Sequence, residues 1–153
     1  MPNVPAPLST KKNALWNAAG CIFYLGCQWL TTVLVVVLST DYNNSGALAF
    51  AMSVGSMFAS ISLYKMRTYQ VSDISCEHSA KDYIGFRFVS ILFSLIMSCI
   101  YVAAISDNVS FLIATFVFLV FKIDETFVDV LYGVDQKGQR MDYIGKSQFM
   151  RGV

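Results

Sequence analysis

The amino-acid sequence predicts an all-α fold, an integral membrane helical bundle of four transmembrane helices with a cytoplasmic N-terminus. Of the 153 residues, 56% are hydrophobic and only 14% are charged, whereas a soluble domain carries about 25% charged residues. The same composition excludes a disordered chain, which needs low hydrophobicity and high net charge. The formal net charge of +1 argues against nucleic acid as a partner.

Three long stretches without a charged residue predict the first three spans. They cover residues 13–40, 42–64 and 88–106. Each is close to or longer than the roughly 20 apolar residues that cross a hydrocarbon core about 30 Å thick. We therefore expect the first three spans at about 15–39, 47–64 and 84–105.

A fourth span is predicted at about 111–132, although its inner half carries charges. These charges belong to Lys122, Asp124, Glu125 and Asp129. Ionisable residues inside a span mark a functional site by default. Alternatively, the span ends early, near Phe121, and the charges lie on a cytoplasmic extension of the helix. Residues 133–153 are expected to form a cytoplasmic linker toward a missing fifth span, so that 1–153 is a single transmembrane region.

The placement of the 11 lysines and arginines predicts the orientation of the bundle. Ten of them precede the first span, lie between the second span and the start of the third, or follow the fourth. The two other connections contain none. Because cytoplasmic loops carry the excess of Lys and Arg, the N-terminus, the 65–82 loop and the C-terminal tail are expected in the cytoplasm.

The first two spans each carry a patterned face. On span one, residues at spacings of three and four form a polar stripe, namely Asn17, Cys21, Tyr24, Gln28 and Thr32. Because amides are costly against lipid, this face is expected to meet protein or a wet cavity, which makes Asn17 and Gln28 candidates for a substrate path. On span two, small residues recur at every fourth position and predict close helix packing, namely Ala47, Ala51, Gly55 and Ala59.

The charges of spans three and four supply the remaining candidates for a substrate path. Helical projection places Lys122, Glu125 and Asp129 on one face, and the first two are close enough to pair. Asp124 lies nearly opposite and needs a cation. Arg87, one turn inside span three, is the nearest candidate, so we predict a structural ion pair between Arg87 and Asp124. Arg87 could instead face the cavity or extend to the cytoplasmic interface.

The sequence contains no enzyme signature. It lacks a glycine-rich phosphate loop, an H-E-x-x-H pair and a G-x-S-x-G turn, each of which places catalytic or phosphate-binding groups at a fixed spacing. Four cysteines without a C-x-x-C pair and one histidine, His78, predict buried small side chains instead of a metal site. We therefore expect no enzymatic activity, no metal and no cofactor.

Four segments of the chain carry motifs in the same order. The loop after span two reads R-T-Y-Q-V-S-D from Arg67, followed by D-Y-I-G-F-R from Asp82. Span one opens with N-A-L-W-N, span four ends with K-I-D and D-V-L-Y-G, and R-M-D-Y-I-G-K-S follows it. Together these segments resemble the polysaccharide-repeat (O-antigen or capsule) flippases of the multidrug/oligosaccharidyl-lipid/polysaccharide exporter superfamily. The loop residues that carry this resemblance are Arg67, Tyr69, Ser72, Asp73, Arg140, Asp142, Gly145 and Lys146.

The resemblance implies a function in cell-surface polysaccharide biosynthesis, including lipopolysaccharide. The chain would be the N-terminal part of a multi-pass transporter of the bacterial cytoplasmic (inner) membrane that flips or exports lipid-linked oligosaccharide units by alternating access. Its implied partners are the lipid bilayer, a polyprenyl-diphosphate-linked oligosaccharide, and the remainder of the transporter or another copy. Two alternatives stay open, a small four-span transporter that acts as a homo-oligomer and a membrane assembly subunit that transports nothing.

Overall fold

The prediction of an all-α chain is confirmed. A computed structural model describes residues 8–39, 42–73 and 78–153, and every regular element in these ranges is a helix. The elements in chain order are α1 (Thr10–Leu38), α2 (Tyr42–Leu63), α3 (Met66–Ser72), α4 (Ala80–Ile105), α5 (Val109–Lys137) and α6 (Met141–Gly152).

Within the described ranges, three segments are long and apolar enough to cross a membrane, which supports a multi-pass membrane protein. These segments are α1, α2 together with α3, and α4. Little of the most apolar part of α1 and α4 is buried inside the bundle, so both helices present a broad apolar flank to their surroundings. The predicted fourth span lies within α5, which is as long as α1. Three charges within four residues interrupt the apolar run of α5, and this span therefore stays a prediction.

Local sequence explains where α4 and α5 begin. Ser79 precedes α4, and its hydroxyl accepts a hydrogen bond from the Lys81 N–H at 3.4 Å. The Asp82 carboxylate accepts one from the Ser79 N–H at 2.8 Å, which completes a capping box. Before α5, the Asn108 side chain accepts a hydrogen bond from the Ser110 N–H at 3.0 Å. These caps satisfy backbone donors that have no partner within the helix.

The core lies between α2, α4 and α5, and the small-residue stripe of span two packs there as predicted. Ala47, Ala51 and Gly55 are buried. A Cβ atom on Gly55 would lie only 2.5 Å from Cε1 of Phe118, on α5. Larger apolar side chains fill the remainder of this core, namely Val54, Phe58, Ile91, Val102 and Leu119.

Replacing Gly55 by Leu is expected to lower the free energy of unfolding by about 1–3 kcal/mol, the usual cost of overpacking a core. The new side chain would displace Phe118 and the Lys122 stem, whose Cγ would lie 3.3 Å from a Cβ at this position. The melting temperature of the purified protein in detergent measures the effect. Gly85→Leu is the matched control because nothing lies within 4 Å of a Cβ there. An unchanged melting temperature in Gly55→Leu would contradict the packing of α2 on α5.

The last helix lies beside the first half of α1 and runs in the same direction. Gly145 contacts the α1 backbone near Gly20, and the rings of Phe23 and Phe149 lie 4.7 Å apart between centroids. Further along, a Cβ on Gly152 would contact Phe23. Residues 133–137 of the predicted linker thus complete α5, and residues 141–152 form a helix that packs on α1. The reason is that two glycines allow α1 and α6 to approach backbone to backbone.

Candidate ligand-binding cavity

A cavity of about 360 Å³ lies between α1, α2 and α5, at the end of α6. Its lining begins at Tyr24 near the middle of α1 and continues to Val35 near the end of that helix. The cavity therefore occupies the half of the bundle next to the connection between α1 and α2. It exists because α1 packs mainly against α6 and touches α2 only slightly. Beyond the end of α6, no helix of the described residues fills the space between α1 and its neighbours.

A chain of polar side chains crosses the base of this cavity. The Tyr24 hydroxyl donates a hydrogen bond to Oε1 of Glu125 at 3.3 Å and accepts one from Nε2 of Gln28 at 2.8 Å. On its other oxygen, Glu125 binds Nζ of Lys122 at 2.6 Å. The predicted pair between Lys122 and Glu125 is thus confirmed. Hydrogen bonding of this kind is what buried polar groups require in an apolar region.

Two cations line the cavity wall above this base. Lys122 extends from α5, with its ammonium 5.7 Å from the ring centroids of Phe118 and Phe121. Arg151 enters from α6, and its guanidinium carbon lies 5.3 Å from the centroid of the Tyr24 ring. Both contacts are within the range of cation–π attraction. The wall therefore combines positive charge with aromatic surface.

The cavity brings together some of the predicted substrate-path residues and leaves others apart. Gln28 and Lys122 line it, and Glu125 lies at its base. Asn17 is half-buried below the cavity, where α1 meets Gly145 of α6. Arg87 and Asp129 do not line the cavity either, because α5 directs Asp129 toward α4. Of the predicted face of α5, Lys122 and Glu125 lie at the cavity, whereas Asp129 lies at the contact with α4.

Sequence reasoning missed Arg151 as a cavity residue. Its guanidinium reaches the cavity because α6 packs beside α1, a tertiary contact between segments more than a hundred residues apart. The nearest signal in the sequence was Gly145 within the R-M-D-Y-I-G-K-S segment, since a glycine there permits close helix approach. Only in combination with Gly20 would that signal have placed α6 against α1.

Arg87 is fully buried and connects three helices at the other end of the bundle. Its Nη1 donates hydrogen bonds to the carbonyls of Ser62 at 2.7 Å and Leu63 at 3.0 Å. Its Nη2 donates to Oδ2 of Asp129 at 2.8 Å. Helix α2 ends there because the next two residues have left-handed backbone conformations, with φ of 38° and 48°. Arg87 thus supplies donors to two carbonyls at the end of α2, and the Ser90 hydroxyl donates a second hydrogen bond to the Ser62 carbonyl at 3.0 Å.

The predicted ion pair between Arg87 and Asp124 is wrong. Arg87 pairs with Asp129, whereas Asp124 pairs with Arg151, at 3.3 Å between Oδ2 and Nη2. At about 100° per residue, five positions separate the two carboxylates by about 140° around α5. Helix α4 packs on the Asp129 side, while the Asp124 side chain, 64% exposed, faces α6. The burial of Arg87 also excludes its extension to the interface.

The motifs of the predicted cytoplasmic loop converge on the same end of the bundle as Arg87. Nε of Arg67 donates a hydrogen bond to Oε1 of Gln136 at 3.0 Å, and its Nη1 lies 3.6 Å from Oδ1 of Asp129. Asp73 accepts a hydrogen bond from the Tyr83 hydroxyl at 3.1 Å. These contacts hold α3 against α4 and α5, whereas two other motif residues, Tyr69 and Ser72, are exposed.

The motif after α5 forms the start of α6. Nε and Nη2 of Arg140 donate hydrogen bonds to the two oxygens of Asp142 at 2.8 and 3.0 Å. Lys146 lies 3.5 Å from the same carboxylate. The hydrogen bonds from Arg140 and the nearby positive charges lower the pKa of Asp142 to about 2. The group therefore stays ionised near neutral pH, and its stabilising effect is lost only as pH falls through about 2.

Comparisons with known proteins do not assign a family. No protein-family model, curated protein or solved structure matches the chain. Among the residues that the structure describes, no three His, Cys, Asp or Glu side chains meet as metal ligands. The resemblance to polysaccharide-repeat flippases therefore stays a prediction that rests on the quoted motifs.

Proposed function

We propose that the chain is the N-terminal part of a transporter of the bacterial inner membrane that moves lipid-linked oligosaccharide across the bilayer. In this proposal, the cavity between α1, α2 and α5 receives the anionic diphosphate head of the substrate, and no covalent chemistry takes place. One observation carries the proposal: Lys122 and Arg151 line the same cavity between helices whose outer flanks are apolar.

The energetics of charge in an apolar region support a role for these two cations in binding. A charged side chain within a membrane is costly and usually serves a function. Lys122 is neutralised by Glu125 on its own helix, and Arg151 shares Asp124, whose side chain is largely exposed. An anionic head entering the cavity would compete with Glu125 for Lys122 and with Asp124 for Arg151, and it would gain attraction from both cations. An arginine guanidinium can donate two parallel hydrogen bonds to a phosphate, whereas a lysine ammonium acts as a compact point charge.

The end of the cavity next to α6 is closed by packed side chains and backbone. Gly145 and Gly20 bring α6 and α1 into contact there, and the Tyr132 hydroxyl bonds to that of Ser147 at 2.9 Å across α5 and α6. With the predicted orientation, this closed side is cytoplasmic and the cavity lies in the outer half of the bundle. Such an arrangement suits one state of an alternating-access transporter.

Replacing Lys122 by Ala is expected to reduce export on the order of tenfold while protein levels stay near normal. The reason is that a charge-assisted contact is worth about 1.5–3 kcal/mol. The measurement is surface polysaccharide per unit of membrane-inserted protein, in a strain that lacks the native copy. The double variant Lys122→Ala/Glu125→Gln removes both charges of the pair. It therefore shows whether export falls because the Glu125 carboxylate is left unpaired or because a cation is lost from the cavity.

Lys65→Ala is the matched control because Lys65 is an exposed cation remote from the cavity. Its export should equal that of the unaltered protein. If the double variant recovered export, the role of Lys122 would be only to neutralise the Glu125 carboxylate. Full export by Lys122→Ala itself would remove the cation from the substrate path and favour a membrane subunit that transports nothing.

A further inference from the structure

A second charged feature lies at the end of the bundle where α1 and α6 begin, away from the cavity. Lys12 and Trp16 are one turn apart on α1 and share a face. Nζ of Lys146, on α6, lies 5.6 Å from the centroid of the Trp16 ring and 5.7 Å from that of Tyr143. The guanidinium carbon of Arg140 lies 4.2 Å from the Tyr143 centroid. These five side chains lie where α1 and α6 begin, and we term them the basic–aromatic patch.

The exposed charge of the basic–aromatic patch is positive. Lys12 forms no ion pair within the described part of the chain, and Lys146 is 55% exposed. The acid within the patch, Asp142, is buried and has both oxygens bound by Arg140. A neighbouring carboxylate, Asp135, is half-buried and interacts with the same pair. Arg140 and Lys146 share the single negative charge of Asp142, and Lys12 adds a further cation, so the patch keeps a net positive charge at its surface.

The position of the patch indicates the kind of partner that would neutralise it. The Trp16 and Tyr143 rings are each 40% exposed, and amphipathic rings of this kind prefer the level of lipid headgroups. One turn beyond Lys146 on the same face of α6, the apolar side chain of Met150 is 82% exposed. The patch thus lies at the border between the charged end of the bundle and its apolar flank, where the phosphates of a bilayer would lie.

We propose that the basic–aromatic patch binds the headgroup of an anionic phospholipid in the adjacent leaflet. Lys12 and Lys146 would contact the phosphate, and the Trp16 ring would lie against the start of the acyl chains. Basic pockets between membrane helices on the cytoplasmic side recognise such headgroups. An acidic protein would match the charge but not the adjoining apolar flank. The inference needs only membrane insertion and does not depend on the proposed transport activity.

Trp16 itself provides a reporter for this inference, because the chain has only two tryptophans. The other, Trp29, is 68% exposed on α1, so Trp29→Phe should leave the fold intact and Trp16 as the single fluorophore. The full chain is reconstituted in phosphatidylcholine vesicles that contain phosphatidylglycerol brominated near the headgroup end of its acyl chains. A second set of vesicles contains the same two lipids, but here the phosphatidylcholine carries the bromine and the phosphatidylglycerol does not.

Phosphatidylglycerol is expected to quench Trp16 at lower mole fraction than phosphatidylcholine, with a preference of roughly fivefold for each lysine. Lys12→Gln with Lys146→Gln should abolish this preference. Lys65→Gln with Lys81→Gln, which removes two exposed cations elsewhere, should leave it unchanged. Equal quenching by the two lipids, or loss of the preference in the control, would overturn the proposal.

A second measurement does not depend on Trp29→Phe. The chain keeps both tryptophans and is purified from mixed vesicles, and the amount of phosphatidylglycerol that co-purifies with it is measured. This amount should fall in Lys12→Gln/Lys146→Gln and stay constant in Lys65→Gln/Lys81→Gln. Soluble polyglutamate should not reverse the quenching of Trp16 by the brominated lipid. Reversal by polyglutamate at low salt and low concentration would show that the patch prefers an acidic polypeptide, which would overturn the assignment to a lipid.

Discussion

Replacing Arg87 by Ala is expected to lower the free energy of unfolding by about 3–5 kcal/mol, the cost of breaking a buried ion pair by removing one partner. The substitution leaves the Asp129 carboxylate without its closest cation and leaves the carbonyls of Ser62 and Leu63 without the donors that Arg87 supplies. Lys should not restore stability, because one ammonium cannot reach three acceptors in the directions of the guanidinium fork. Melting temperature in detergent and membrane-inserted yield measure the loss.

Arg67→Ala is the matched control for Arg87→Ala. Arg67 binds the same carboxylate from 3.6 Å, and its side chain is 28% exposed, so its loss should cost no more than about 1 kcal/mol. Combining Arg87→Ala with Asp129→Ala should cost less than the sum of the two single changes, because each single change leaves its partner unpaired. Additive losses, or similar losses for Arg67 and Arg87, would contradict the role of Arg87 as the buried junction of α2, α4 and α5.

Replacing Gly145 by Leu is expected to separate α6 from α1, with a loss of about 3 kcal/mol or more, at the upper end of overpacking effects. A side chain at Gly145 would meet the backbone of Trp16, and one at Gly20 would lie within 2.6 Å of the Gly145 Cα. Backbone atoms cannot rotate away as Phe118 can beside Gly55. Even Ala at either glycine should therefore be damaging.

Gly26→Leu, on α1, is the control for Gly145→Leu, because nothing lies within 4 Å of a Cβ at Gly26. The melting temperature should fall for Gly145→Leu and stay within about 1 °C for Gly26→Leu, since exposed substitutions usually change stability by no more than about 0.5 kcal/mol. Proteolysis near the start of α6 provides a local readout, because a detached helix exposes its backbone. Equal stability of the two variants would show that α6 does not rest on α1.

The sequence predicts where each helix lies along the chain better than which helices pack against each other. Uncharged stretches locate α1, α2 and α4 to within a few residues, because chain length and hydropathy are local properties. The small-residue stripe of α2 and the pair of Lys122 with Glu125 follow from helical spacing alone, and both are confirmed. Such features need only one helix to be known.

Contacts between helices are where sequence reasoning fails. The sequence offers Arg87 two carboxylates on α5, and the choice of Asp129 depends on which face of α5 meets α4. The same holds for Asn17. The face of α1 that carries it contacts α6 near Asn17 and lines the cavity further along the helix. Arg151 is the clearest case, because its place in the cavity follows from a glycine contact between α1 and α6 that neither segment reveals alone. These outcomes depend on the packing of the whole bundle.

In the proposed transporter, the apolar flanks of the helices face lipid and the cavity is open to water. This claim is tested most directly by two variants that each keep one native cysteine. Cys27 lines the cavity and is half-buried, whereas Cys99 is exposed on the apolar flank of α4. A membrane-impermeant thiol reagent applied outside intact cells should label Cys27 and leave Cys99 unlabelled, because a charged reagent does not enter the hydrocarbon region of the bilayer. Labelling of Cys99, or failure of Cys27 to react, would contradict the claim.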